Sequence, residues 1–172
     1  VVVRTSDKGK HWEVVRGSGR RLALLSLQVR PASLAWGLMA SECLDEGYRG
    51  RAFAFAGEHS EAADVGLAAG RIGVNGVQVG WRLNLGVPDL VRDARRLTAQ
   101  WSNDTEGRLS EFLVAHVITQ IRMWRPSVLV LPAADGGDHA AAMINKAVTD
   151  AVSQASDATR GSVRAALLGL QP

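Results

Sequence analysis

Hydrophobic positions along the chain come in two alternating kinds of segment. Leu22 to Val29, Arg51 to Ala56 and Ser127 to Leu131 are short, nearly uninterrupted apolar runs. A strand covered on both faces loses the polar alternation of a half-exposed one, so these runs read as buried parallel strands, with Val77 to Leu85 as a further strand. Between them lie longer segments with helical spacing. The pattern predicts helices over Leu34 to about Asp45, Glu61 to about Gly70, Leu90 to Gln100, Asp104 or Thr105 to Arg125, and Asp138 to Ala155. Ser33, Ser60 and either Asp104 or Thr105 stand at the helix starts as N-caps, Gly47 ends the first helix, and Pro126 stops the long one.

Strands alternating with helices of ten or more residues imply right-handed βαβ units. The expected fold is α/β: a Rossmann-like, doubly wound, mostly parallel sheet with helices on both faces, formed by a single domain over residues 22–172. Residues 1–21 do not share the pattern. Val1 to Val3 and His11 to Val15, joined by the turn cluster Ser6-Asp7-Lys8-Gly9-Lys10, predict a hairpin on the sheet edge, or else a linker from a preceding region. The chain opens Val1-Val2-Val3-Arg4 without Met, as an excised domain would. The apolar tail from Gly161, with Val163, Leu167, Leu168 and Leu170, is expected to dock on the domain.

Composition narrows the classes of partner. The 172 residues are 47% apolar and 22% charged, with a formal net charge of +3. Such a balance is ordinary for a globular domain. No apolar run approaches the roughly 18 residues of a membrane-crossing helix, so no membrane span is expected. The basic residues are scattered as Arg20-Arg21, Arg49 with Arg51, and Arg95-Arg96, without interleaved aromatics, so no nucleic-acid surface is expected. The single cysteine, Cys43, excludes an internal disulfide and a multi-cysteine metal site. Its neighbours Met39, Ala40 and Leu44 lie on a helical pattern, which predicts a buried, inert thiol.

Candidate chemistry collects where strands end. In open α/β sheets, ligands bind beyond the carboxyl ends of the strands. After the first core strand the turn is Arg30-Pro31-Ala32-Ser33, and after the second it is Gly57-Glu58-His59-Ser60. After the last strand comes Pro132-Ala133-Ala134-Asp135-Gly136-Gly137-Asp138-His139, which opens a helix carrying Asn145. Arg30, Ser33, Glu58, Asp135 and Asn145 are the expected pocket lining. Asp138 is either a catalytic or orienting carboxylate or an N-cap. His139 is either a metal ligand or a packed helix-start histidine, and His59 is a replacement ligand or a solvated turn residue. Arg30 either pairs with Asp138, Asp135 or Glu58 or stays a surface arginine. The Asp135 to Asp138 turn is too short for a calcium loop, and no Walker or Gly-x-Gly-x-x-Gly motif is present. His116, within the long helix, reads as a packed histidine.

Taken together, these turns resemble one family. The order is Gly57-Glu58 after the second strand, Ile72-Gly73-Val74, Leu85-Gly86-Val87-Pro88-Asp89, a long helix, Arg125-Pro126-Ser127-Val128-Leu129-Val130, and Asp138-His139 opening a helix. From Leu22 to Asp157 this is similar to the PIG-L / LmbE-like N-acetylglucosaminyl deacetylases, Rossmann-like zinc hydrolases that remove acetyl groups from amino sugars. In that family the first turn reads His-Pro-Asp-Asp, whose His and second Asp bind zinc and whose first Asp is the general base. Here Arg30-Pro31-Ala32-Ser33 keeps only the proline. The later His-Pro-Asp-His motif matches Gly136-Gly137-Asp138-His139. The ligand histidine survives as His139, and the histidine that supports the oxyanion is replaced by Gly136.

The resemblance therefore implies a deacetylase-fold domain without the family's hydrolysis, a pseudoenzyme that binds a carbohydrate or a neighbouring domain. Catalytic zinc needs about three protein ligands and an open position for water. Only His139 remains of the set, Ser33 is a poor ligand, Arg30 repels a cation, and Ala32 cannot take a proton. On this reading no cofactor is expected. The alternatives are an active zinc-dependent deacetylase rearranged around His139, Asp138 or Asp135, and His59 or Glu58, and a structural interaction module of a larger protein.

Overall fold

The central strand, β3 (Leu24–Gln28), is buried at every position, as its apolar run requires. The computed structural model describes residues 2–4, 13–16, 22–58, 60–83, 85, 88–133 and 136–157. Ahead of β3, β1 (Val2–Arg4) and β2 (Glu13–Arg16) pair antiparallel. They form their own two-stranded sheet, which corrects the expectation of a hairpin on the main sheet's edge.

Among the described residues the main sheet has four strands in the order β5-β4-β3-β6, with β4 over Gly50–Ala56, β5 over Val77–Leu83 and β6 over Val128–Val130. All three pairings are parallel. The chain steps outward from β3 to β4 to β5, then returns across the sheet to place β6 on the other side of β3. Helices cover both faces. On one, α1 (Trp36–Ala40) and α2 (Glu61–Arg71) bury Met39, Cys43 and Ala69 against Leu24 and Ala52. On the other, α3 (Ala94–Asp104), α4 (Leu109–Trp124) and α5 (His139–Ala155) pack Trp101, Val117 and Ile144 against Leu25, Leu27, Phe53 and Phe55. Alternate residues of β3 thus feed opposite layers, as the pleat demands. This is the α/β, Rossmann-like, doubly wound arrangement.

Several helix ends differ from expectation. Pro31, with its fixed φ, opens a 3₁₀ turn over Pro31–Ser33 directly after β3. Ser33 lies inside that turn, so it is not the N-cap; Ala35 precedes α1. α1 continues as a π-helical turn over Ser41–Asp45, with Gly47 in the left-handed region beyond it. Ser60 stands at the N-cap position of α2, as expected, but its backbone is helical and its side chain makes no cap bond; its hydroxyl donates to Glu58 Oε2 at 3.3 Å instead. Residues 90–92 belong to a 3₁₀ turn, Pro88–Arg92. Asp93 caps α3 instead, accepting from the backbone N–H of Arg95 and Arg96 at 3.1 and 3.0 Å. Neither Asp104 nor Thr105 starts α4. The Thr105 hydroxyl donates back to Trp101 O at 2.7 Å and so belongs to the end of α3, and Arg108 precedes α4. The expected docking of the tail from Gly161 lies outside the described residues.

Candidate functional site

Strand order reverses between β3 and β6, and the two run parallel in register, Leu24 beside Val128 and Ser26 beside Val130. Their carboxyl ends therefore emerge side by side. The turn Arg30 to Ser33 and residues 131–133 and 136–138 lie on one lip of the sheet, the switch point where open α/β folds hold ligands. The exit of β4 adjoins it: a Cβ placed on Gly57 would lie 3.3 Å from Pro31 Cδ.

On this lip Arg30 is half-buried, and its carbonyl accepts the Ser33 N–H at 3.0 Å. Among the described residues its guanidinium pairs with no carboxylate. Of the two readings of Arg30, the pairing with Asp138 or Glu58 is not formed, and Asp135 lies outside the described residues. Ala32 and Ser33 are exposed. Asp138 Oδ1 accepts the Ala141 N–H at 2.8 Å, and its backbone carbonyl accepts the Ala142 N–H. Its carboxylate is thus engaged by the first turn of α5, as an N-cap is. His139, half-buried, is the first residue of that helix. Asn145 reaches back from α5: its Nδ2 donates to Pro132 O at 3.1 Å. Its Oδ1 is buried with no hydrogen-bond partner, which leaves one acceptor on the lip unsatisfied. Glu58 stands apart, exposed at the end of β4 on the side of β3 away from β6. His59 lies outside the described residues.

The sequence reading missed Gln28. This last residue of β3 is only 3% exposed, and its Nε2 meets Ser26 Oγ at 3.5 Å. Ser26 and Gln28 occupy alternate positions of an otherwise apolar run, so they share one face at the carboxyl end of the central strand. That two-residue spacing was the available signal. His116 is packed rather than solvated, its ring centroid 4.4 Å from that of Phe53. Cys43 is fully buried, as expected.

Among the described residues no three His, Cys, Asp or Glu side chains converge, Arg30 brings a fixed positive charge to the lip, and the Asp138 carboxylate is engaged by the helix. What the lip offers is hydrogen bonding and charge: a guanidinium, an imidazole and an amide.

The fold and its lip define a Rossmann-like α/β domain in which two strand exits meet at the switch point. No family model matches the chain, and no curated protein matches it. Among solved structures, the chain is similar to a conserved protein of Thermus thermophilus, with a TM-score of 0.54 and 18% identity over 78% of this chain. At that identity the likeness shows the fold alone. The chain spans 57% of that protein's length.

Proposed function

We propose that this is a PIG-L/LmbE-like domain whose metal site has been lost, and that its lip binds a carbohydrate or a neighbouring domain without hydrolysing it. One observation carries the reading: the exits of β3 and β6 meet at the reversal of strand order, and the first of them presents Arg30, Ala32 and Ser33 where the resembling family has its ligands and base. Without an acidified water or a proton acceptor at position 32, an amide bond at this lip has no nucleophile at neutral pH. Arg30 and Asn145 instead suit hydroxyl and carbonyl groups of an amino sugar.

The test is direct. The protein purified with zinc added is expected to hold far less than one metal ion per chain, and to release no acetate from N-acetylglucosamine derivatives. A stoichiometry near one, or acetate release abolished by His139→Ala, overturns the reading in favour of a rearranged zinc hydrolase.

A further inference from the structure

Helix α2 carries its polar residues only near its ends. Glu61 and Asp64 stand in its first turn and Arg71 in its last, and from Val65 to Gly70 every residue is apolar or glycine. A surface helix turns one apolar stripe to the core and a polar face to water. α2 meets the first condition, packing Val65, Ala69 and, at its C-cap, Ile72 into the core beneath it, and breaks the second. Ala63, Gly66, Leu67 and Gly70 are all exposed. Leu67, at 66%, is the most exposed large apolar side chain among the described residues. α3, by contrast, shows Arg95, Arg96 and Thr98 to solvent.

The spacing i, i+3, i+4, i+7 lays these four residues along one stripe. Glycine inside a helix is unfavourable beside alanine, and packing within the described fold does not ask for it here. A Cβ placed on Gly66 or on Gly70 would meet nothing within 4 Å. What an exposed pair of glycines does allow is close approach by a second backbone. Leu44, 52% exposed, adjoins the end of the helix and extends the apolar surface, since a Cβ placed on Gly73 would lie 3.2 Å from Leu44 Cα.

The charges say which backbone fits. Asp64 and Arg71 are seven residues apart, close to two full turns, so they stand on the same flank of the stripe. Both are exposed, and among the described residues neither has an ionic partner. A two-fold axis beside the helix reverses a second copy and brings the same patch of each against the other. Placed level with the midpoint of residues 66 and 67, it sets Ala63 opposite Gly70, and Leu67 over Gly66, of the other copy. Like flanks then lie on the same side. Asp64 comes within about 3 Å, along the helix axis, of the level of Arg71 of the other copy, and symmetry forms that pair twice. The outer face of α2 is thus complementary, in shape and in charge, to itself turned end for end.

We propose that this face is a docking surface for a second copy of the chain, packed antiparallel about a two-fold axis and held in register by two Asp64–Arg71 ion pairs. One pair of short helices falls at the low end of interface sizes, so the dimer is a weak, exchanging one.

The test is sedimentation equilibrium of the full chain over a range of concentrations, with neither sugar nor metal, so its outcome is independent of the ligand reading above. The unsubstituted chain is expected to pass from monomer to dimer as concentration rises. Asp64→Arg and Arg71→Asp, made separately, each set like charges opposite one another and are expected to weaken association about tenfold or more. Made together in one chain, they exchange the two charges and leave the net charge as it was, and association is expected to recover. A chain still monomeric at about 1 mM overturns the proposal. So does a dimer that neither single substitution weakens, or that the double substitution fails to restore. Both side chains are exposed, so the denaturant midpoint of each variant is expected to stay where it was. Where a charge variant loses its fold, Leu67→Lys, at an exposed position of the same stripe, decides. Weaker association at an unchanged midpoint supports the proposal, and unaltered association overturns it.

Discussion

Asp138 shows how one side chain can carry two readings that only its bond partners separate. Its carboxylate accepts the Ala141 N–H at 2.8 Å, satisfying a helix-start donor that would otherwise lack a partner. Asp138→Ala is expected to cost about 1 kcal/mol of stability through the lost cap, read as a lower denaturant midpoint with an unchanged slope. A neighbouring residue gives the opposite lesson. Asn145 keeps a buried Oδ1 without a partner while its Nδ2 holds Pro132 O. A buried acceptor left unbonded costs free energy, and such unsatisfied groups in native folds repay a search for the donor that completes them.

At the scale of elements, the bond between α4 and α5 is the clearest case. Arg122 is buried, and its guanidinium donates to two carbonyls at the end of α5. A cation there also complements the negative end of the helix dipole. Arg122→Met keeps much of the packing and removes both bonds. It is expected to destabilise the fold by about 2 kcal/mol, since hydrogen bonds to charged groups are the stronger kind; equilibrium unfolding in urea measures it. Strands and helices themselves were legible in the sequence, because burial on one or two faces writes its period directly into the chain. Their ends were not. Pro31 turned Ser33 from a cap into part of a 3₁₀ turn, and Thr105 bonded backward rather than forward. Short polar side chains choose between neighbouring backbone groups, and that choice depends on geometry the sequence does not spell out. At the lip, Arg30 follows the end of β3 and Asn145 reaches back to it from α5, whereas Gln28 was hidden inside a run read as apolar.

For the molecule as a whole, the two packed faces set the stability. Trp101 is fully buried within the face formed by α3, α4 and α5. Trp101→Ala is expected to cost about 3–5 kcal/mol, through lost transfer energy and the cavity left behind, and calorimetry will show it as a lower melting temperature. The other global feature is the pairing of β3 with β6. Its partners, Leu24 and Val128, lie about a hundred residues apart in sequence, and contacts of such long range slow folding because loop closure comes before their reward. β4 and β5 can assemble on β3 from nearby chain, but β6 must wait for α3 and α4 as well. The lip formed by the two strand exits therefore has no existence in a half-folded molecule: both of its sides are present only after the last strand has arrived, so its assembly reports the completion of folding rather than its onset.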